Sequence, residues 1–400
     1  MGSVGACHLG LRLASFRTVR RPDLLAVAWL ERGESTSNPN QECPPRSPPN
    51  DRKGNITMTI MIGIDPHKAT HTAVAIDSEE RVLDEFTVRA SKAQTARLRT
   101  WASQFDDPAW AVESARGLGY LLSQQLVAAG ETVFDVPPLL ASRVRVLGSG
   151  RSQKNDPNDA RAIAIAALRS DRLTQVVADD HAQVLRLLVK RHRDTAQLRA
   201  KQIVRLSALI TELSAGGIAS KATPHKAIEL LDQIGVSDEV TRTRVMIARE
   251  LLDDISRLDT VLKQSKQRIE VSVLSSGTTL CDIVGIGPIC AAIIIGHTAN
   301  IGRFGTKAQF ATYNATAPLE ASSGGKVRHR LNQRGNRQLN FAIHIAAVVQ
   351  VRTGGEGRVF YDRKIAEGTS NKEAIRALKR RISDRVYRHL VADARRAATT

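Results

Sequence analysis

The chain has 400 residues, 42% hydrophobic and 24% charged, proportions that exclude a mostly disordered polymer and suit two or three globular domains. Lys and Arg number 58 against 40 Asp and Glu, a formal charge of +18, which points to a polyanionic partner, while aromatics at 4% argue against recognition dominated by base stacking. The longest apolar runs, 162–168 and 289–295, are far shorter than the roughly 20 residues of a membrane span, LLAVAWL at 24–30 lacks a signal-peptide cleavage site, and Cys7, Cys43, Cys281 and Cys290 form no CxxC pair, so a membrane protein, a disulfide scaffold and a zinc site give way to a cytoplasmic expectation.

Residues 1–57 are rich in Pro, Ser, Asn and Arg and lack periodicity. They read as a disordered tail or as a mis-assigned start, with Met58 or Met61 as the alternative. A first folded domain is expected over 58–178. TIMIGID (59–65) is a buried strand, and THTAVAID (70–77) and RVLDEFTV (81–88) alternate as hairpin partners. A helix over 91–105, a strand at 108–114, a helix over 118–130 ended by Gly130 and a strand at ETVFDVPP follow. The order β-β-β-α-β-α-β is that of a ribonuclease-H-like or RuvC-like sheet, so the fold class is α/β plus all-α. A loop, VRVLGSGRSQKNDPND, then leads into the helix ARAIAIAALRSDRL.

Residues 179–275 are expected to form a helical, coiled-coil-like arm from two charged stretches, 180–214 and 224–275. Its simplest role is packing or dimerisation. The C-terminal domain, 276–400, opens with a short helix, the turn Gly285-Ile286-Gly287-Pro288 and an apolar helix, a helix-hairpin-helix-like pattern. In such a pattern glycines permit the tight turn and free N–H groups can hold a DNA phosphate. The alternative is an ordinary glycine turn. The tail, 335–395, is helical and basic. The charge excess is concentrated: 320–400 holds 18 basic and 7 acidic residues, and 142–212 holds 14 and 7. Two basic regions around patterned domains favour a nucleic-acid footprint over a solvated face.

Four carboxylates stand out. Asp65 and Glu113 end apolar strands, and both would project from one edge of a sheet. Asp156 and Asp159, in KNDPNDAR, are three apart at a helix start and share a helix face. Pro157 suits a first-turn position. Four such groups in one place repel unless a cation sits among them, and oxygen ligands suit Mg²⁺ or Mn²⁺. Two such ions can stabilise both the attacking and the leaving oxygen of phosphodiester chemistry. The alternative is that Asp156 and Asp159 are helix caps and that Asp65 caps a turn. His67 reads as structural or supporting rather than as a ligand, and Lys68 as a possible phosphate contact.

The motifs GIDPHK, AVESARGLG and KNDPNDARAIA, in that order, resemble the DEDD transposases of the insertion-sequence one-ten family, whose relatives include pilin-gene-inverting recombinases. VGIGPICAAIIIGHTANIGRF and YNATAPLEASSGGKVRHRLNQRGNRQLN match the same family's second domain, so the resemblance covers about 59–395. It implies a RuvC-like domain with Asp65, Glu113, Asp156 and Asp159 as the acidic set. It also implies a helical domain with a catalytic serine, composite sites shared between subunits of a dimer or tetramer, and an element-encoded guide RNA that selects DNA. Ser323, before Gly324-Gly325, matches the nucleophile, and Ser322 is the fallback. Lys326, Arg328 and Arg330 would hold phosphate and offset developing charge. Lys154, Gly285, Gly287 and Arg334 complete the candidate nucleic-acid contacts. Asn340 stands where many relatives carry Arg, and Asn314-Ala315 departs from the usual dipeptide before the TxP segment. The expected activity is cutting and rejoining of DNA by a transposase. The competing readings are a RuvC-like metal-dependent structure-specific nuclease with no covalent serine intermediate, and a non-enzymatic nucleic-acid-binding protein.

Overall fold

A computed structural model describes residues 60–149, 155–170, 173–217, 223–320, 329–330, 332–333 and 335–399. The sequence-expected tail, 1–57, lies outside them. The apolar run from Ile60 becomes β1 (Ile60–Pro66), a strand buried along almost its whole length. β2 (Thr70–Asp77) pairs with it antiparallel, and β3 (Val82–Arg89) pairs antiparallel with β2. β3 alternates between exposed and covered residues, as an edge strand does.

α1 (Gln94–Ala102) leads to β4 (Ala109–Glu113), and α2 (Tyr120–Ala128) to β5 (Val133–Val136). β4 runs parallel to β1, and β5 parallel to β4. A two-residue strand, β6 (Thr174–Gln175), closes the order β3-β2-β1-β4-β5-β6. The first five strands follow the ribonuclease-H-like order expected from the sequence; β6 carried no sequence signal.

Period-2 alternation assigns the two faces of this sheet. Ile62, Ile64, Trp110 and Val112 pack with Leu98 of α1 and Leu122 and Leu126 of α2. Met61, Ala109 and Ala111 pack on the other face under α3 (Pro138–Ser149) and α4 (Asp156–Leu168). The sequence reads 144–159 as a loop, yet α3 continues to Ser149. Pro138 looks like a strand stop but sits at a helix start, where proline costs no hydrogen bond.

The remaining described residues are almost entirely helical. α5 (His181–Leu213) is followed by α6 (Pro224–Asp232) and α7 (Glu239–Ser275). The stretch 224–275 is thus two helices, because Thr223 and Asp238 each cap a separate start. α5 and α7 run antiparallel: His181 Nε2 donates to Ser272 O at 2.8 Å, Gln202 Nε2 to Asp254 at 2.9 Å and Arg244 Nε to Glu212 at 3.0 Å. Leu206, Ile210, Leu252 and Ile255 fill the far end with Ala227 and Leu231 of α6.

After a short 3₁₀ turn at Leu280–Asp282 come α8 (Pro288–Thr298), α9 (Lys307–Tyr313) and the two-residue pair β7 (Leu319–Glu320) with β8 (His329–Arg330). α10 (Arg337–Thr353), α11 (Glu356–Ala366) and α12 (Asn371–Ala397) complete the fold. Gly354 and Gly355, both at positive φ, break α10 from α11. A Ser370–Glu373 capping box starts α12. α8, α10 and α12 enclose one apolar core, and Leu185 and Val189 of α5 and Ile269 and Val273 of α7 belong to it. No helix among the described residues is long and apolar enough to cross a membrane.

Candidate active site

Ile64 of β1 pairs with Val112 of β4, so the next residue on each strand, Asp65 and Glu113, comes side by side at the sheet's carboxyl edge. Alternation turns both toward the α4 face. Gly63 brings that helix close: a Cβ there would lie 2.1 Å from Ala160 O and 2.5 Å from Ala164 N. Ala160, Ala164 and Ala167 give α4 the small-residue face that this approach needs. Asn155 caps α4, its side chain accepting from Asn158 N at 2.9 Å. Neither aspartate is therefore spent on capping, and both first-turn carboxylates lie above the sheet edge.

Ligand atoms of Asp65, His67 and Asp156 lie within 4.8 Å of one another. Asp65 is 7% exposed, and His67 Nδ1 stands 3.9 Å from its Oδ2. The imidazole thus joins the two carboxylates as a possible ligand, a place that the sequence reading withheld from it. Burial, then the charges of Asp65 and Asp159, push the Glu113 carboxyl above its ordinary value, against the opposing pull of Arg145 and His67. Arg145 of α3 donates to Asp159. Sequence spacing carried no sign of this pairing. The fold therefore gathers Asp65, Glu113, Asp156 and Asp159 around one edge. Two carboxylates and an imidazole with ligand atoms this close, and Glu113 and Asp159 beside them, suit a divalent metal.

The turn after Glu113 is braced. Ser114 has φ 51°, Ala115 N donates to Asp135 Oδ1 at 3.0 Å, and Arg116 Nε lies 3.8 Å from Asp135 Oδ2.

Of the remaining sequence candidates, Lys154, Ser322, Ser323, Lys326, Arg328 and Arg334 lie outside the described residues. Arg330 falls in β8. Gly285 (φ 86°) serves packing: a Cβ there would meet Ala346 O of α10 at 2.7 Å. Gly287 precedes α8 as its N-cap and contributes no side-chain cap. The segment carrying the serines springs from a pinned base, since Asn336 N donates to Tyr313 O at 2.6 Å and Asn336 Nδ2 to the Tyr313 hydroxyl at 3.2 Å.

The two departures from the family pattern meet in this region. Asn340 donates through Nδ2 to the carbonyls of Asn314 and Ala315 at 3.0 and 3.1 Å, and its Oδ1 accepts from Lys379 Nζ at 2.6 Å. Burial, then Arg376, lowers Lys379 to about 8.

Two family models match the chain: one described as Transposase (DEDD, IS110) over residues 62–214 and one described as Transposase IS116/IS110/IS902 family over 277–362. The chain is 25% identical to the insertion element IS116 44.8 kDa protein of Streptomyces clavuligerus, over 81% of this chain and 93% of the other. It is 26% identical to the insertion element IS110 43.6 kDa protein of Streptomyces coelicolor, over 81% and 92%. Among solved structures, Thermus thermophilus RuvC aligns at 20% identity, covering 29% of this chain and 99% of that one, with a TM-score of 0.23.

Proposed function

Because the chain belongs to the IS110/IS116 family of transposases, enzymes that cleave and rejoin DNA, we propose that it does so through a divalent-metal site on Asp65, Glu113, Asp156 and Asp159 together with a serine nucleophile, Ser323. The observation that carries the metal half is the convergence of these acids at one sheet edge, with Glu113 pushed upward by its neighbours. Mg²⁺ or Mn²⁺ would be held by these carboxylates, with His67 as a further donor. When bound, the cation would offset charge on a phosphodiester.

The serine half rests on the family motif and on the basic residues near it in sequence, Lys326, Arg328, Arg330 and Arg334. The serine Oγ attacks phosphorus, a phosphoserine ester forms, and one strand end leaves as a hydroxyl. Attack by a hydroxyl of the rejoined strand reverses the exchange. The ester conserves bond energy, so no ATP is consumed. On this reading, a guide RNA of the element selects the DNA, and the acids and serine of one site come from different subunits of a homo-oligomer. The α5–α7 hairpin supplies the arm between them. The turn before α8 and Lys154 contact nucleic-acid backbone. The protein works in the cytoplasm, where the DNA is.

The test is adduct trapping. Wild-type protein with Mg²⁺, element-end DNA and its RNA should yield a detergent-stable protein–DNA species whose linked peptide contains Ser323. Ser323→Ala and Asp65→Ala should both lose it. Cleavage that persists in Ser323→Ala with no adduct at any time would replace this reading with a water-using nuclease. An adduct mapped to Ser322 would move the role by one residue.

A further inference from the structure

A second concentration of charge lies away from the carboxylates. Arg186 and Arg193 are seven apart on α5, two turns along one face. The backbones of α5 and α8 touch there: a Cβ at Gly296 would lie 2.9 Å from Arg186 N and Cα. His297 of α8 follows, half-buried. Arg193 donates to Gln338 at the start of α10, and its guanidinium carbon stands 5.8 Å from the Phe341 ring centre. Arg303 lies over two rings, 4.5 Å from Phe304 and 4.4 Å from Tyr313. The Tyr313 hydroxyl donates to His297 O at 3.3 Å, which ties this group to the pinned base of the serine-bearing segment.

The electrostatics agree with a shared positive field. Burial, then Arg186, Arg193 and Arg116, lowers His297 to about 4. Burial opposes it, but the Asn336 amide and then Arg303, with Arg116 further off, bring the Tyr313 phenol below its ordinary value. Arg116, which bears on both groups, is the third residue after Glu113 and lies 3.8 Å from Asp135 Oδ2. Among the described residues, Arg186, Arg193 and Arg303 enter none of the ion pairs, whereas Arg145, Arg199 and Arg380 each have an aspartate. Asp179, which accepts from Tyr120 near Arg186, forms no ion pair with it, and like charges gathered without a paired carboxylate are costly unless an anion completes them. Planar guanidinium forks fit phosphate oxygens in particular.

We propose that Arg186, Arg193 and Arg303 form a phosphodiester clamp at the root of the serine-bearing segment, holding nucleic-acid backbone there. The clamp rests on the family's action on DNA and needs neither the metal assignment nor the serine. Its ligand chemistry is a run of phosphodiesters, from duplex DNA, an unpaired DNA strand or RNA.

The experiment is fluorescence anisotropy of the full chain in EDTA. The probes are labelled duplex DNA, single-stranded DNA and a structured RNA hairpin, each titrated over a KCl series. Arg186→Gln/Arg193→Gln/Arg303→Gln should weaken at least one probe by about tenfold or more and reduce its log–log salt slope by about two to three. The probe affected identifies the strand that the clamp holds. Arg242→Gln, an exposed arginine paired with Glu239, should leave every probe unchanged. The assay holds no divalent metal, so failure of the metal reading would show in cleavage and not here. Should the triple variant not fold, wild-type protein is treated with phenylglyoxal with and without each probe and mapped by mass spectrometry. Bound nucleic acid should protect these three arginines. Wild-type affinity and slope in the folded triple variant, or equal modification with and without every probe, would overturn the clamp.

Discussion

Glu113 carries an electrostatic cost that the metal-free protein cannot shed. Its folded carboxyl binds a proton more tightly than in an unfolded chain, because burial and then Asp65 and Asp159 oppose its charge. The folded state therefore retains a proton that the unfolded state has already released. The stability this provides is present at low pH and is lost as pH rises through the raised value. At neutral pH the ionised group opposes folding. Glu113→Gln should melt higher than wild type at about pH 7 in EDTA, and the difference should vanish near the ordinary carboxylate range of about pH 4. Mg²⁺ should raise the melting temperature of wild type more than that of the variant. A variant that melts lower than wild type at pH 7 in EDTA would contradict this account. Arg145 relieves part of the same tension by pairing with Asp159. A function-bearing site that costs stability is a common trade.

At the scale of elements, the contact of β1 with α4 decides where the last two carboxylates stand. Only Gly63 allows the helix backbone so near the strand. Gly63→Ala should force α4 outward at a cost of about 1–3 kcal/mol, read as a lowered thermal midpoint. It should also weaken Mn²⁺ binding, followed by electron paramagnetic resonance, since Asp156 and Asp159 ride on that helix. A variant with wild-type midpoint and Mn²⁺ affinity would show that the helix position is not set there. The DPND motif was legible as a helix start with both aspartates on one face. That Asn155 takes the capping role, and so spares the aspartates, emerges only from the cap geometry. The sequence reads His67 as a supporting residue because a histidine after a strand carries no periodic signal. Its closeness to Asp65 and Asp156 depends on where α4 lands.

For the whole molecule, the charge and the core follow different boundaries. The basic excess sits in 142–212 and 320–400, around the acidic edge and the serine-bearing segment. The apolar core of the C-terminal helices reaches back to Leu185, Val189, Ile269 and Val273. A fragment spanning 179–400 should thus melt cooperatively, whereas 276–400 should expose the face that α5 and α7 cover and aggregate. Circular-dichroism melts with light scattering test this. A soluble 276–400 fragment as stable as the longer one would refute it.

The sequence by itself determined the succession of the first five strands and their helices, the strand ends that bear Asp65 and Glu113, the helix start that bears Asp156 and Asp159, and the long helices that follow. These features are written in periods of 2 and 3.6 residues and in cap and turn chemistry, all of which act within a few positions. Tertiary structure alone decided that Arg145 pairs with Asp159, that Lys379 meets Asn340, and that the Tyr313 hydroxyl reaches the His297 carbonyl. Each of these groupings joins separate elements. Such a meeting depends on how close two backbones can come, at Gly63 against α4 and at Gly296 against α5, and local periodicity does not specify that.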